Sequence, residues 1–313
     1  MLNRQVLCGL ATLFYIAGST APVSLRLQSP GPCRGIEATH IVLLGTGNPA
    51  PDPNRSGPSV AIVANGTPYL VDMGPGVVRR VAAASLKGIR GLESTNIKHV
   101  FVTHLHSDHT LGYPDLIFTP WVMERSEPLN VYGPKGLAAM TKHLLKAYRE
   151  DIKVRTEGLE KANKTGYKVV VHEIQPGLVY KDENVVVRAF PVKHGSWHQA
   201  FGYRFETSDK TIVISGDTRP TETVVANCNG CDVLIHEVYP ESGFAGISLD
   251  RQKYHRSFHT SAIELATIAT QAKPRLLVLY HQLLFWGSEE EILGELRANY
   301  KGEVVSGHDL DVY

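Results

Sequence analysis

The chain has 313 residues, with 32 lysines and arginines against 31 aspartates and glutamates, so its net charge is close to zero. It contains no basic run and no alternation of basic and aromatic residues, which argues against a dedicated nucleic-acid-binding surface. Without the N-terminal leader, roughly 290 residues remain, enough for one large α/β domain with a sizeable core.

The first 21 residues are typical of a signal peptide. Arg4 supplies a positive charge, Val6–Gly18 is uncharged and mostly apolar, and Ser19-Thr-Ala21 offers small residues for cleavage. The apolar run is shorter than the roughly 20 residues of a membrane span. We therefore predict cleavage, export to the periplasm or the medium, and no stable membrane span; an uncleaved anchor is the alternative. Residues 22–37 are predicted to be a linker and 38–313 the folded domain.

Few cysteines remain in the mature chain. Cys228 and Cys231 have the spacing of a local disulfide, although two buried thiols would explain them equally well. Because no second CxxC pair is present, a structural zinc clip is not expected.

In chain order, the first half predicts strands, one hairpin and one helix. Asn65-Gly66 is a hairpin turn signal between two β-rich runs. A helix is expected over 77–86, and a turn at Gly112-Tyr-Pro. Gly45-Thr-Gly47 is followed by a proline-rich stretch instead of a helix, which argues against a dinucleotide-binding loop. Strands are predicted at 41–44, 59–63, 69–72 and 97–102.

The second half repeats strands and helices. One amphipathic helix is predicted over 136–152, followed by a polar, irregular segment over 155–168. Ser261 and Glu264 have capping-box spacing at the start of a helix over about 261–272. Strands are predicted at 129–132, 168–171, 185–190, 211–215, 233–237 and 276–280.

The stretch His104-Leu-His106-Ser-Asp108-His109 concentrates metal-binding side chains directly after the predicted strand 97–102. Neutral imidazole and carboxylate are the ligands of Zn²⁺ and related ions. One tetrahedral site would use three or four of these groups. Because further candidates follow downstream, the pattern predicts two metals.

Those candidates share a position, since each follows closely on a β-rich run. They are His194, Asp217 and His281, and His236 also follows such a run. Chemistry gathered at strand ends is typical of layered α/β folds, so we expect two sheets flanked by helices.

Residues 41–313 resemble the metallo-β-lactamase fold, and in particular its ribonuclease Z-like branch. The motifs that carry the resemblance are Gly45-Thr-Gly47, Asp72, His104-x-His106-x-Asp108-His109, His194, Ser215-Gly-Asp217-Thr-Arg-Pro220, His236-Glu237, His259-Thr-Ser261 and Leu277-Val-Leu-Tyr-His281. The resemblance implies an α/β, four-layered αββα sandwich and a homodimer.

The resemblance also implies roles for individual residues. A first zinc would be held by His104, His106 and His194, a second by Asp108, His109 and His281, and Asp217 would bridge both. Manganese or iron could occupy the same set. The catalytic residues would be Asp108, His259 and Glu237: His259 would stabilise or protonate the departing oxygen, and Glu237 would orient His259.

Other residues keep open alternatives. Asp72 could cap a strand end or orient a ligand histidine. His259 could instead be a helix-start residue bonded to solvent, and His236 is expected to be structural. Four further side chains could line a pocket mouth or belong to plain surface or core: Trp197, His198, His255 and Trp286.

Three departures from the branch guide the functional prediction: the leader, the absence of its long Gly/Pro-rich RNA-gripping arm, and the apolar Leu283–Trp286 after the last ligand. They favour an exported dinuclear zinc hydrolase that cleaves a small ester with a metal-bridging hydroxide. The ester would be a phosphodiester, aryl sulfate, lactone or β-lactam. Nucleic acid is then not the favoured partner. The alternatives are transfer-RNA 3′-end processing and a non-catalytic metal-binding role.

Overall fold

The computed structural model describes residues 37–313, which contain two β-sheets. The first sheet has six strands in chain order: β1 (His40–Gly45), β2 (Ser59–Ala64), β3 (Thr67–Val71), β4 (His99–Phe101), β5 (Leu129–Gly133) and β6 (Val169–Glu173). β1 to β3 are antiparallel, whereas β3 to β6 are parallel.

The second sheet has seven strands in reverse chain order. They are β7 (Gly177–Lys181), β8 (Val186–Pro191), β9 (Phe201–Glu206), β10 (Thr211–Ile214), β11 (Val233–Val238), β12 (Leu276–Gln282) and β13 (Val304–Ser306). β7 to β10 are antiparallel and β10 to β13 parallel, so both sheets combine the same two patterns.

Helices cover the outer face of each sheet. Between the strands of the first sheet lie α1 (Val77–Leu86), α2 (Ser107–Thr110), α3 (Tyr113–Val122), α4 (Leu137–Ala147) and α5 (Arg149–Glu157). The second half contains α6 (Glu222–Cys228), α7 (Glu241–Phe244), α8 (Leu249–Phe258), α9 (Ala262–Ala272) and α10 (Glu289–Asn299).

Alternation along the strands builds three apolar layers. Ile41 and Leu43 face the core between the sheets, while Val42 and Leu44 face the helical layer that includes α1 and α3. Because both faces are covered, these strands are apolar at nearly every position. A third layer joins the second sheet to α6, α9 and α10. The predicted αββα sandwich is therefore confirmed.

Two local predictions differ from the structure. The helix predicted over 136–152 breaks at Tyr148, whose ring packs on Phe118 at 4.5 Å between centroids, and a second helix then continues to Glu157. Gly112-Tyr-Pro begins α3 instead of forming a turn, because a proline in the first turn of a helix loses no hydrogen bond. The strands β7, β9 and β13 were not among the predicted elements.

Cys228 and Cys231 form a disulfide, one of the two expected alternatives. The predicted signal peptide (1–21) and all but the last residue of the predicted linker (22–37) lie outside the described residues, so cleavage and export stay predictions. Within residues 37–313, every helix is too short or too polar to span a bilayer.

Candidate metal centre

The predicted ligands meet where strands of both sheets end. β4 leads into His104 and His106, and the one-turn helix α2 adds Asp108 and His109. The segments after β8 and β10 supply His194 and Asp217, and β12 supplies His281 near its end. His281 has a left-handed backbone conformation (φ 45°). Residues other than glycine rarely adopt this conformation, and those that do are frequently found at functional sites.

One group consists of three imidazoles. His104 Nε2 and His194 Nε2 each lie 3.0 Å from His106 Nδ1. Asp217 Oδ2 lies 3.9 Å from both Nε2 atoms, and each of the four side chains offers an atom within 4.8 Å of the others. These are the residues expected at the first zinc, together with the predicted bridge.

The other group consists of Asp108, His109 and His281. Asp108 Oδ2 is 3.2 Å from His281 Nε2 and 3.6 Å from His109 Nε2. Asp217 Oδ2 is 3.3 Å from His281 Nε2 and 3.4 Å from His109 Nε2. The Asp217 carboxylate thus lies between the two groups, in the position that a bridging ligand requires.

Outer hydrogen bonds orient three of the rings. His109 Nδ1 donates to Asp72 Oδ2 at 2.8 Å, and His194 Nδ1 donates to the Phe258 carbonyl at 2.9 Å. Thr103 Oγ1 donates to Asp72 at 2.8 Å and accepts from His104 Nδ1 at 3.0 Å. In each ring the proton sits on Nδ1, so Nε2 turns its lone pair inward, as metal ligation requires. Asp72 therefore lies where an orienting carboxylate is expected.

Burial and nearby charges lower the pKa of some candidate ligand histidines and raise the pKa of others. Burial lowers the pKa of His194 to about 3, and burial together with His109 holds the pKa of His104 well below its usual value. Burial also acts on His109 and His281, but the carboxylates around them together outweigh it and raise both pKa values; these are Asp217 with Asp72 for His109, and Asp217 with Asp108 for His281. A metal that binds His109 and His281 therefore competes with protons at these two rings.

The donor set fits zinc. His109 Nε2 and Asp217 Oδ1 are buried and have no hydrogen-bond partner, a costly arrangement unless a cation satisfies them. Lone pairs that converge from several imidazoles would repel one another without a proton or a cation between them. Two groups of imidazole and carboxylate ligands that share one carboxylate match a pair of zinc ions, although the donors alone do not select zinc over manganese or iron.

His259 and Glu237 adjoin this cluster. His259 Nδ1 lies 3.4 Å from Glu237 Oε2, longer than a normal hydrogen bond. The amides of Thr218 and Thr260 donate to Glu237 Oε1 at 3.3 and 3.0 Å. His259 also offers a nitrogen within 4.8 Å of ligand atoms on Asp217 and His281. The structure thus brings together all three predicted catalytic residues.

Burial shifts the pKa values of His259 and Glu237 in opposite directions. Burial lowers the pKa of His259 to about 4, below the range of a general acid at neutral pH. Burial, assisted by Asp217, raises the pKa of Glu237 well above its usual value. Both shifts favour the uncharged form of each group, so a proton shared by the pair is favoured on Glu237.

The four predicted pocket residues separate into two places. Trp197 and His198 line a cavity beside His106, and the indole N–H of Trp197 donates to His106 Nε2 at 2.8 Å. His255 and Trp286 line a different cavity.

His236 is fully buried, and its Nδ1 donates to the Glu237 carbonyl at 2.6 Å, as expected for a structural residue. The sequence motifs did not single out the threonine amides that hold Glu237.

Comparison with known proteins agrees with this geometry. Residues 67–282 match the family model of the β-lactamase superfamily domain. A ribonuclease Z of Mycobacterium bovis is 33% identical over 275 residues, which cover 86% of this chain and 96% of that protein. A ribonuclease Z of Mycobacterium marinum matches with the same identity and coverage.

Solved structures show the same fold. The short form of human tRNase Z aligns with a TM-score of 0.66 and 24% identity, over 88% of this chain and 98% of that one. A metallo-β-lactamase fold protein of Bacillus subtilis aligns with a TM-score of 0.67 and 18% identity, over the same shares. The chain belongs to the metallo-β-lactamase superfamily, in its ribonuclease Z-like branch.

Proposed function

We propose that the protein is a zinc-dependent ribonuclease Z that hydrolyses a phosphodiester bond at the 3′ end of transfer-RNA precursors. This activity was the alternative to the small-ester reading of the sequence. The observation that carries the proposal is the single Asp217 carboxylate between two ligand groups, beside the His259–Glu237 pair. The relatives named ribonuclease Z, matched over 96% of their length, support RNA as the substrate.

In this proposal the residues divide the work. His104, His106 and His194 would hold one zinc, Asp108, His109 and His281 would hold the other, and Asp217 would be shared by both groups. When bound, two such ions supply Lewis acidity, which offsets charge on the phosphoryl group and activates water near neutral pH. His259 faces the same space and donates a hydrogen bond or a proton to the departing ribose oxygen. Glu237 supplies that proton and orients the ring.

The test uses zinc-loaded full-length protein and a precursor tRNA with a 3′ trailer. We expect cleavage after the discriminator base, and no cleavage by Asp217→Ala whose fold is retained by circular dichroism. His259→Ala should lower kcat by roughly 10²–10⁴ because the leaving oxygen is a poor leaving group. His143→Ala, which replaces an exposed histidine on α4, is the matched control and should cleave normally.

If precursor tRNA is not cleaved even with the enzyme in excess, the proposal of tRNA processing is wrong. The same preparations, assayed on an aryl phosphodiester, then separate a hydrolase with another substrate from a non-catalytic metal-binding protein. On that ester, which has a good leaving group, His259→Ala should lose much less activity than on RNA. An equal loss on both substrates would contradict the role of His259.

One observation favours a second candidate, the hydrolysis of a small ester. A cavity of about 400 Å³ is lined in part by the segment 282–286, which directly follows His281 in the chain. Its walls are mainly apolar. Its apolar residues include Ile247, Leu283, Leu284, Phe285 and Trp286. A pocket of this size suits a small-molecule substituent. Turnover of an aryl sulfate, a lactone or a β-lactam, without cleavage of precursor tRNA, would select this candidate.

A further inference from the structure

Two adjoining cavities lie on the His106 side of the cluster. One has a volume of about 910 Å³ and the other about 920 Å³, and both are lined by Ser196, Tyr254 and Phe258. We call the two together the aromatic–basic groove. Since a typical small-molecule pocket has at most about 1,000 Å³ in all, this surface is large enough for an extended ligand.

The groove offers two aromatic surfaces. The edge of Trp197 is fixed by its hydrogen bond to His106, and the two ring centroids are 5.1 Å apart. Tyr254 stacks on Phe258 with centroids 4.4 Å apart and an angle of 28° between the rings, and 47% of its surface remains exposed. Both aromatic rings are thus held in place by neighbours within the groove.

The charges along the groove are mainly positive. Lys135, Arg219 and Lys253 are exposed lining residues, and none forms an ion pair with any residue in the range 37–313. Arg256 is engaged with Glu241 at 3.4 Å, and Asp250 is the acidic residue among those that line the two cavities. Three cations are therefore free to meet an anionic ligand.

We propose that the aromatic–basic groove binds a single-stranded segment of RNA that leads to or from the cleaved bond. Bases stack on Trp197 and Tyr254, while Lys135, Arg219 and Lys253 contact phosphates. A single strand of RNA presents the faces of its bases and its anionic phosphates. Proteins bind such a strand with aromatic side chains that stack on bases, placed within a positively charged groove. This inference rests on the proposed function and assigns the RNA a path beside the metal ligands.

The first test measures binding separately from cleavage. Zinc-loaded full-length protein is titrated into a labelled single-stranded RNA of about 12 nucleotides whose phosphorothioate backbone resists hydrolysis, and anisotropy is recorded. Tyr254→Ala should weaken binding at least about fivefold, since it removes one stacking platform. Tyr148→Ala, at a similarly exposed tyrosine (41%) beside α5, should bind like the unaltered protein.

The second test measures the salt dependence. The double variant Arg219→Ala/Lys253→Ala should reduce the slope of log affinity against log salt by about 1.4, because each phosphate contact on a single strand contributes about 0.7. Arg297→Ala/Lys301→Ala makes the same charge change on and just after α10 and should leave the slope unaltered.

Either of two results overturns the inference: no binding of the single strand by the unaltered protein, or equal binding by the groove variants and their controls. If precursor tRNA is nevertheless cleaved, the proposed function stands and the RNA follows another path. If the groove binds as expected but no substrate is cleaved, the inference about the groove stands and the proposed activity falls.

Discussion

At the scale of single residues, His106 is the exception among the four candidate ligand histidines whose ring orientation is fixed by a hydrogen bond. His104, His109 and His194 each donate outward from Nδ1, but His106 accepts at Nε2 from the indole of Trp197. An indole N–H can only donate, so the His106 proton sits on Nδ1, the nitrogen that faces His104 and His194. A metal held by this nitrogen has to displace the proton and compete with the Trp197 contact.

This arrangement predicts that Trp197 opposes metal binding. Trp197→Phe should raise zinc affinity by roughly fivefold, about the value of one hydrogen bond, as measured by competition with a fluorescent chelator. Tryptophan emission should also change on addition of zinc, because the environment of the indole N–H changes.

Trp286→Phe is the control, since that side chain is 81% exposed and lies outside the cavity beside His106. It should retain both the affinity and the emission change. A zinc-induced change that survives in Trp197→Phe, together with unaltered affinity, would contradict the tautomer assigned to His106.

At the scale of elements, the candidate catalytic side chains lie on short segments that follow strand ends. The first residues of a helix can hold such a segment in position. Ser261 caps α9 in a full capping box with Glu264, as the spacing predicted. The residues just before this cap are Thr260, whose amide binds Glu237, and His259. The start of α9 thus determines where His259 lies relative to the metal ligands.

Ser261→Ala should therefore cost both stability and activity. We expect a loss of about 1 kcal/mol in the free energy of unfolding, typical for removal of a cap, measured by urea denaturation. Activity on RNA should fall by about tenfold or more, because small displacements of catalytic groups are costly.

Ser288→Ala removes the same kind of capping box, with Glu291, from α10, a helix that holds no metal ligand. It should lose comparable stability but keep its activity. If both variants lose activity equally, the effect is a general one of stability and the start of α9 has no special role.

At the scale of the whole molecule, the candidate metal centre draws its residues from both halves of the sandwich. His104 to His109 follow a strand of the first sheet, whereas His194, Asp217 and His281 belong to segments of the second. The chain end adds a further link, since Tyr313 pairs with Ile41 of β1 through two backbone hydrogen bonds of 2.9 Å. Neither half contains the complete ligand set.

Zinc should consequently stabilise the protein as one unit. At a free concentration of 100 times Kd, the gain is about 2.7 kcal/mol per site, which predicts a rise in Tm of roughly 5–10 °C for each occupied site, in a single transition by calorimetry. Asp217→Asn should shrink this rise, while Glu303→Gln, at an exposed position, should not. Two separate transitions, only one of them sensitive to zinc, would contradict a centre shared by both halves.

Patterns in the sequence predicted both the candidate ligand set and the layered fold, and the two sheets with their apolar layers confirm the fold. His104 to His109 lie within six positions, and the strands that deliver the later ligands are apolar runs, so local periodicity and residue chemistry were sufficient to predict both. Local patterns also predicted the cap at Ser261 and the hairpin at Asn65-Gly66, where both residues have positive φ.

The surroundings of the candidate metal centre result from tertiary packing. Lys135, Arg219 and Lys253 are far apart in a chain with balanced charge, and the packing of loops from both sheets places them along one groove. The same packing breaks the predicted helix at Tyr148 against Phe118 and sets Trp197 on His106. Proximity of charges and the direction of a hydrogen bond depend on contacts between distant segments, which no local pattern encodes.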